Sequence, residues 1–364
     1  VGISDYREAC TNYYYIDKTL LIKDFLDERP KVSLFTRPRR FGKTLNMDML
    51  RTFFEKNDSD TSCYFQDKKI WLCGEPYRSH QGKYPVISLS FKDVKCPSWE
   101  ETYLTLCQLI SMEFLRHNEL SSSPVLNTYE KEQFSRLASG NGNTVDYQMS
   151  LHLLTLYLHK HYGIAPIVII DEYDTPIQQG HLHGFYDPVV GFMRNLFSGA
   201  LKDNSHLSFG FLTGILRVAR ESIFSGLNNL KVNSILDERY SEYFGFTAGE
   251  VQEMAQYYDA AEKYQEICDW YDGYRFGQTD MFNPWSVISY FSNNCHPKAF
   301  WQSTGSNDII REILQASTPD ITERLELLMQ GKSFITVIRI QFSPRNRIPE
   351  SNSCRFVLRR RLYV

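Results

Sequence analysis

The chain has 364 residues, of which 42% are hydrophobic and 23% charged, a mix that excludes intrinsic disorder, collagen and coiled-coil architectures and favours one large α/β unit with a smaller companion. No apolar run reaches the roughly 18–20 residues of a membrane-spanning helix, and the first ten residues (VGISDYREAC) have neither a basic start nor an apolar signal core, so no membrane association and a cytoplasmic location are expected. The formal charge of −3 names no polyanionic partner by itself; its distribution is uneven, with seven arginines (339, 345, 347, 355, 359, 360, 361) against the single acid Glu350 after residue 334.

The eight cysteines are scattered, without C-x-x-C pairs or zinc spacing, and are expected to be free buried thiols. The first residue is Val, not Met, as in a fragment of a longer sequence. In chain order, residues 13–27 (YYYIDKTLLIKDFLD) predict a short amphipathic helix starting at Asp17 and stopped by Pro30. VSLFT (Val32–Thr36) reads as a buried strand, RPRRFGKT (37–44) as a loop, and Leu45, Met49, Leu50, Phe53 and Phe54 recur at helical spacing. VISLSF (86–91) is a second strand and residues 99–117 a helix, whereas the polar stretch 121–143 reads as loop with one poor helix.

A helical pattern over 145–161 precedes PIVIIDEYD (166–174), whose uninterrupted β-branched run fits a strand covered on both faces. A helix over 192–201 and a strand at LSFGFLTG (207–214) complete an α/β alternation that predicts a three-layer domain with a mostly parallel sheet over residues 1–246. YFGF (243–246) would be its last strand. Thr247 and Glu250 then form a capping box, with Phe246 and Val251 as a hydrophobic staple. Helices over 247–258, 285–291, 307–316 and 321–329 predict a small α-helical lid domain ending at 331. Residues 332–364 show no periodic face and are expected to be irregular, or truncated, or the product of a reading-frame shift.

The chemistry concentrates at loop tips on one sheet edge. A loop between a buried strand and a helix presents backbone N–H groups and the helix dipole to a triphosphate. Arg40, Phe41, Gly42, Lys43, Thr44 and Leu45 would contact nucleotide, Lys43 reaching the β and γ phosphates and the Thr44 hydroxyl ligating Mg²⁺. The match to G-x-x-x-x-G-K-[ST] is incomplete because Arg37 stands at the first Gly, so the usual glycine turn is not available there. Arg37, Arg39 and Arg40 would add charge to clamp phosphate. At the end of another strand, Asp171 would hold the metal through water and Glu172 would orient and deprotonate the attacking water. Thr213, at the tip of the next strand, is placed to sense the γ phosphate. Arg217 and Arg220 could stabilise transition-state charge, in cis or from a neighbouring subunit of a homo-oligomer, or serve as ordinary ion-pair residues.

Together YYIDKT, SLFTRPRRFGKT, IVIIDEYDTPI, TGILRVARESIFSGLNNL, FGFT and WYDGYRFG with NPWSV resemble the bacterial AAA-ATPase-like family across roughly residues 3–331. That resemblance implies a P-loop ATPase core with an α-helical lid, ATP and Mg²⁺ as ligands, and nucleotide contacts at Gly42, Lys43 and Thr44 with the acidic pair at Asp171 and Glu172. The arginine-rich loop lacking the first Gly is the family's own form. Family members often continue into a PD-(D/E)XK nuclease-type domain, which needs acids on adjacent strands to hold Mg²⁺; none is evident after Ser333. Three functions stay open: a Mg²⁺-dependent ATPase, a nucleotide-dependent switch that recruits a protein or nucleic-acid partner with little turnover, and the ATPase half of a nuclease-associated protein. The aromatic cluster Trp270, Tyr271, Tyr274, Phe276, Phe282 and Trp285 is read as small-domain core rather than a base-stacking surface. His181 and His183 are read as part of a mobile loop rather than a metal site. The tail arginines fit either nucleic-acid binding or an unstructured end. Asp17 and Lys18 would face adenine on fold analogy.

Overall fold

The computed structural model describes residues 2–215, 217–218, 223–224 and 229–300, with strand backbone alone at 217–218, 334–337, 341–342 and 355–358. α1 (Tyr6–Asn12) is capped by the Asp5 carboxylate, which accepts from the Glu8 N–H, and α2 (Leu20–Glu28) follows an extended segment. The helix expected to start at Asp17 therefore begins three residues late, at Leu20: the Asp17 carboxylate turns to the N–H and hydroxyl of Thr19 and to the Lys69 N–H, holding the chain extended before the helix. Arg29, in the left-handed region at φ 51°, closes α2 ahead of Pro30.

β1 (Val32–Thr36) leads through the arginine-rich loop into α3 (Lys43–Phe54). Two short helices, α4 (Lys69–Leu72) and α5 (Glu75–Arg78), precede β2 (Val86–Ser90) and α6 (Trp99–Arg116). The stretch expected to hold one poor helix contains a well-capped one: in α7 (Thr128–Ala138), Asn127 and Glu130 close a reciprocal capping box. α8 (Thr144–Tyr162), β3 (Ile167–Asp171), α9 (Thr175–Leu182), α10 (Tyr186–Leu201) and β4 (Phe209–Gly214) follow. His181 lies in α9, so the mobile loop expected there is a helix started by Thr175-Pro176. After β5 (Arg217–Val218), β6 (Leu230–Asn233) is an edge strand that alternation alone did not reveal, because only its last residue is fully buried.

Five strands form one all-parallel sheet in the order β2-β3-β4-β1-β6. Successive residues face opposite layers. Val32, Leu34, Ile87, Leu89, Val168, Ile170 and Leu212 enter a core with α6, α7, α8 and α10, whereas Phe35, Val86, Ile167, Ile169 and Phe211 enter a second core with α1, α2 and α3. Helices thus cover both faces, as the uninterrupted apolar strands require. The order also inserts β4 between β1 and β3, which brings their carboxyl ends together with Thr213 between them.

The outer edge of β2 is closed by α6. The Glu113 carboxylate accepts from the Ser88 N–H at 2.7 Å and from Arg116, while Arg116 and His117 donate to the Val86 carbonyl. Burial pushes the Glu113 carboxyl up, but hydrogen bonds from His117 and Arg116 outweigh it and hold it below the usual range; burial alone would lower His117, and Glu113 and Glu119 raise it. Glu113 therefore stabilises the fold above the ordinary carboxyl pKa of about 4.3 and loses that contribution as pH falls through its depressed value; charged His117 stabilises below about 6.5 and loses its contribution as pH rises through its elevated value. Glu113→Gln is expected to destabilise by about 1–3 kcal/mol, most near pH ~5–6 where both groups are charged. Urea melts of parent and variant from pH ~4 to ~8 check this; a penalty independent of pH would show that the charges are not responsible.

Beyond the sheet, β7 (Phe246–Thr247), α11 (Ala248–Tyr257), α12 (Tyr264–Tyr271), β8 (Asp272–Phe276), β9 (Thr279–Phe282) and α13 (Pro284–Ser292) gather round a separate core of Val251, Met254, Ile267, Tyr271, Phe282, Val287 and Tyr290. The Thr247–Glu250 capping box is present, and Phe246 and Val251 share that core. The unit is not all-α: β7, β9 and β8 make an antiparallel sheet, and YFGF contributes only Phe246 to it and none to the main sheet. The turn residues Gly277-Gln278, with Gly277 at φ 55°, close the hairpin that an aromatic-rich sequence disguised. The helices expected over 307–316 and 321–329 lie outside the described residues. In the tail, β10 (Phe334–Val337) pairs antiparallel with β12 (Arg355–Leu358), and β11 (Gln341–Phe342) runs parallel to β5. β-branched and aromatic residues favour strand at these positions of the tail. Neither β10 nor β12 carries an acid.

Candidate functional site

Parallel strands deliver their carboxyl ends to one edge, and there the loop after β1 turns back on itself. Arg40 at φ 68° and Gly42 at φ 76° supply the left-handed backbone, so the turn is made without a glycine at position 37. A Cβ on Gly42 would meet no protein atom within 4 Å, which leaves this backbone facing open space at the start of α3.

Arg37 does not join a phosphate clamp. Its side chain is fully buried and donates to the carbonyls of Thr36, Asn233 and Tyr240 at 2.9, 2.8 and 3.2 Å, between the rings of Phe244 and Phe276. Burial brings its pKa down to about 10, opposed by Asp237. It ties β1 to the chain after β6, a structural use that the sequence pattern could not separate from phosphate binding. Arg39 is exposed, and the Arg40 guanidinium lies 3.6 Å from the centroid of the Trp285 ring. Phe41 is buried against Tyr274 and Phe276. The loop is therefore packed directly on the hairpin and α13.

Lys43, at the first position of α3, folds over the loop and donates to the carbonyls of Arg37 and Pro38 at 3.1 and 2.9 Å. Burial draws its pKa down, resisted by Glu172, Asp174 and Asp171. The Thr44 hydroxyl donates to Asp171 Oδ2 at 2.7 Å, and the Thr213 hydroxyl donates to Asp171 Oδ1. Asp171 is thus held on one oxygen by Thr44 of α3 and on the other by Thr213 of β4. Glu172 takes a left-handed φ of 52°, a strained setting for a non-glycine. Its N–H donates to Thr213 Oγ1 at 3.3 Å, and its carboxylate accepts from the Thr175 hydroxyl at 3.2 Å. Gly42, Lys43, Thr44, Asp171, Glu172 and Thr213 therefore converge. For Arg217 the structure describes the backbone alone, in β5; Arg220 lies outside the described residues.

Of these groups Gly42, Lys43, Thr44 and Glu172 line a cavity of about 550 Å³, while Asp171 and Thr213 are buried behind them and do not line it. Arg40, Phe41 and Leu45 also line it, together with an apolar set from Tyr13–Ile16 of the extended segment and Met254, Tyr258, Trp285 and Phe291. Lys18 lines the wall, but its ammonium is committed to the Glu250 carboxylate at 2.6 Å and the Glu242 carbonyl. Asp17 points to Thr19 and Lys69 and is absent from the lining, so the pair expected to face adenine is corrected on that count. The aromatic cluster divides: Tyr271 and Phe282 are core, Phe276 packs under the loop, Trp270 is largely exposed and Trp285 faces the cavity.

Three contributors were not singled out from sequence. Asp174 is buried, accepts from the Ile215 N–H at 3.0 Å and from Gln178, and so fixes the chain leaving β4. Its signal was the third acid of DEYD. Lys92 lines the same cavity as Glu172, and its signal was its place just after a buried strand. The Tyr13–Ile16 wall had no such signal, because helical spacing masked it.

Among the described residues no group of three His, Cys, Asp or Glu side chains is placed to hold a metal, and His181 and His183 have no third ligand. The oxygen pair of Thr44 and Asp171 is a hard donor set that fits a small divalent cation completing its shell with water and phosphate. The seven described cysteines are free, though only Cys107 is buried, so the expected burial holds for one of them. No helix among the described residues is long and apolar enough to cross a membrane.

The chain is similar to a protein of Azotobacter chroococcum mcd 1 described as "Uncharacterized protein in vnfD 5'region", with 26% identity over 335 residues, covering 90% of this chain. It spans only 58% of the length of that relative. The family model described as "Predicted AAA-ATPase" matches residues 1–224, which include every residue of the convergent loop, acidic pair and β4 tip. By that match the chain belongs to the AAA-ATPase-like family.

Proposed function

We propose that the protein binds ATP with Mg²⁺ at this edge and hydrolyses it, the unit after residue 246 acting as a lid. The observation that carries this reading is the double grip on Asp171: Thr44 from the GKT loop and Thr213 from β4 meet on one carboxylate beside Lys43. Thr44 and Asp171 would hold Mg²⁺, which supplies positive charge to the phosphates when bound. The N–H groups at the start of α3 and Lys43 bind and orient the triphosphate, with Lys43 exchanging its loop carbonyls for phosphate oxygens. Glu172 takes a proton from the attacking water. The Thr213 hydroxyl, in contact with both Asp171 and the Glu172 N–H, relates the terminal phosphate to the acidic pair. The apolar part of the lining suits a purine base, and excluding water there strengthens the charge interactions at the phosphates.

The lid role rests on the packing of Phe41 and Arg40 against β8 and α13, through which a shift of the loop reaches the smaller unit. A second reading, a nucleotide switch with little turnover, is favoured by Lys43 and Asp171 being satisfied internally, an arrangement that nucleotide must displace. Mg²⁺-dependent ATP binding measured side by side with phosphate release tests both. Binding with release supports the ATPase, binding without release supports the switch, and absence of binding overturns both.

A further inference from the structure

Of the cationic residues lining the cavity, three have engaged side chains: Lys18 with Glu250, Lys43 with loop carbonyls and Arg40 against Trp285. Lys92 differs. It is exposed, lines the same cavity as Glu172 and Gly42–Thr44, and makes no hydrogen bond or ion pair among the described residues.

Its backbone is nonetheless fixed. The Phe91 N–H donates to the carbonyl of Asp171 at 3.0 Å, the Val94 N–H donates back to Phe91 at 3.0 Å, and both Phe91 and Val94 are fully buried. A tight turn with two buried anchors therefore roots Lys92 one residue after a backbone bond to Asp171, in the lining of the cavity that Glu172 also lines. β2 neighbours β3 with Ser90 paired to Asp171. Adjacent strands are about 4.8 Å apart, so β2 stands one strand beyond Glu172 and about three strand spacings from β1. A triphosphate laid from the GKT loop toward Glu172 ends within the sweep of a lysine stem rooted there, on the side opposite Lys43.

We propose that Lys92 is a further catalytic residue: resting on the ATPase reading above, its ammonium contacts the terminal phosphate from the β2 side and stabilises charge on the transferring phosphoryl group. In the step, the water oxygen bonds to the terminal phosphorus, the bond from that phosphorus to the bridging oxygen breaks with its electron pair left on ADP, and the water proton passes to Glu172. No oxidation state changes. Lys43 and Lys92 then flank the group in transfer, and the exposed position of Lys92 allows it to engage only when the terminal phosphate is present.

The test uses the full chain with Lys92→Met and Lys92→Arg, measuring ATP affinity, single-turnover phosphate release and thermal melting. Lys92→Met is expected to slow release by about 100-fold while affinity changes by less than about threefold, the pattern of a contact made chiefly in the transition state. Lys92→Arg is expected to restore most of the rate, and melting to stay unchanged because the side chain is exposed. An unchanged release rate with Lys92→Met overturns the proposal while leaving the ATPase reading intact. A faster rate also overturns it, by showing that Lys92 restrains Glu172. A parent chain that binds ATP without release removes the catalytic role and supports the switch; one that fails to bind overturns both.

Discussion

Lys43→Ala is expected to weaken Mg²⁺–ATP binding by about 2–4 kcal/mol, a loss of roughly 30- to 700-fold in affinity. Two effects combine. The variant loses a buried, charge-assisted contact to phosphate, and in the free protein it leaves the Arg37 and Pro38 carbonyls without the ammonium that closes the loop over them. Neither effect touches the sheet, so the far-ultraviolet circular dichroism should match that of the parent. Titration calorimetry at fixed ionic strength reads the change. An affinity equal to the parent's would remove Lys43 from the site, and with it the reading of the GKT loop as a phosphate cradle.

Glu172→Gln should separate binding from chemistry. Glutamine keeps the shape of the side chain and an oxygen that can accept from the Thr175 hydroxyl, so the left-handed backbone at this position has no added reason to relax. It cannot take a proton from water at neutral pH. ATP affinity is expected to stay within about threefold of the parent, and single-turnover phosphate release to fall by about 10²- to 10⁴-fold. Turnover that survives the substitution would place the base elsewhere. A variant that loses both binding and turnover would give Glu172 a role in ordering the site.

Local readings of the sequence succeeded where one element determines its own pattern. β1, β3 and β4 are runs of buried apolar residues, and α3 repeats its apolar face at helical spacing, so the strand-loop-helix around Gly42–Thr44 and the acids closing β3 were legible. What no single segment encodes is neighbourhood. Nothing in LSFGFLTG says that its strand lies between β1 and β3, yet this placement puts Thr213 on Asp171. Arg37 shows the same limit from the other side: three arginines in one loop look alike in sequence, and only the packing of Phe244 and Phe276 sends one of them inward. β6 escaped notice because an edge strand need not alternate cleanly, and β8–β9 because aromatic residues serve a hairpin as well as a helical core.

The closed margin of β2 bears on how the protein behaves before and after it is fully folded. VISLS is a short, uncharged, β-prone segment at the border of the sheet, the sort of sequence that templates strand addition by another molecule. Side chains of α6 already occupy the Ser88 N–H and the Val86 carbonyl, so an incoming strand would have to displace buried ionic partners to register there. Negative selection against intermolecular pairing is thus built into a helix rather than into the strand itself. Loosening α6 would open a route to fibrillar or amorphous deposition, whatever the nucleotide site is doing.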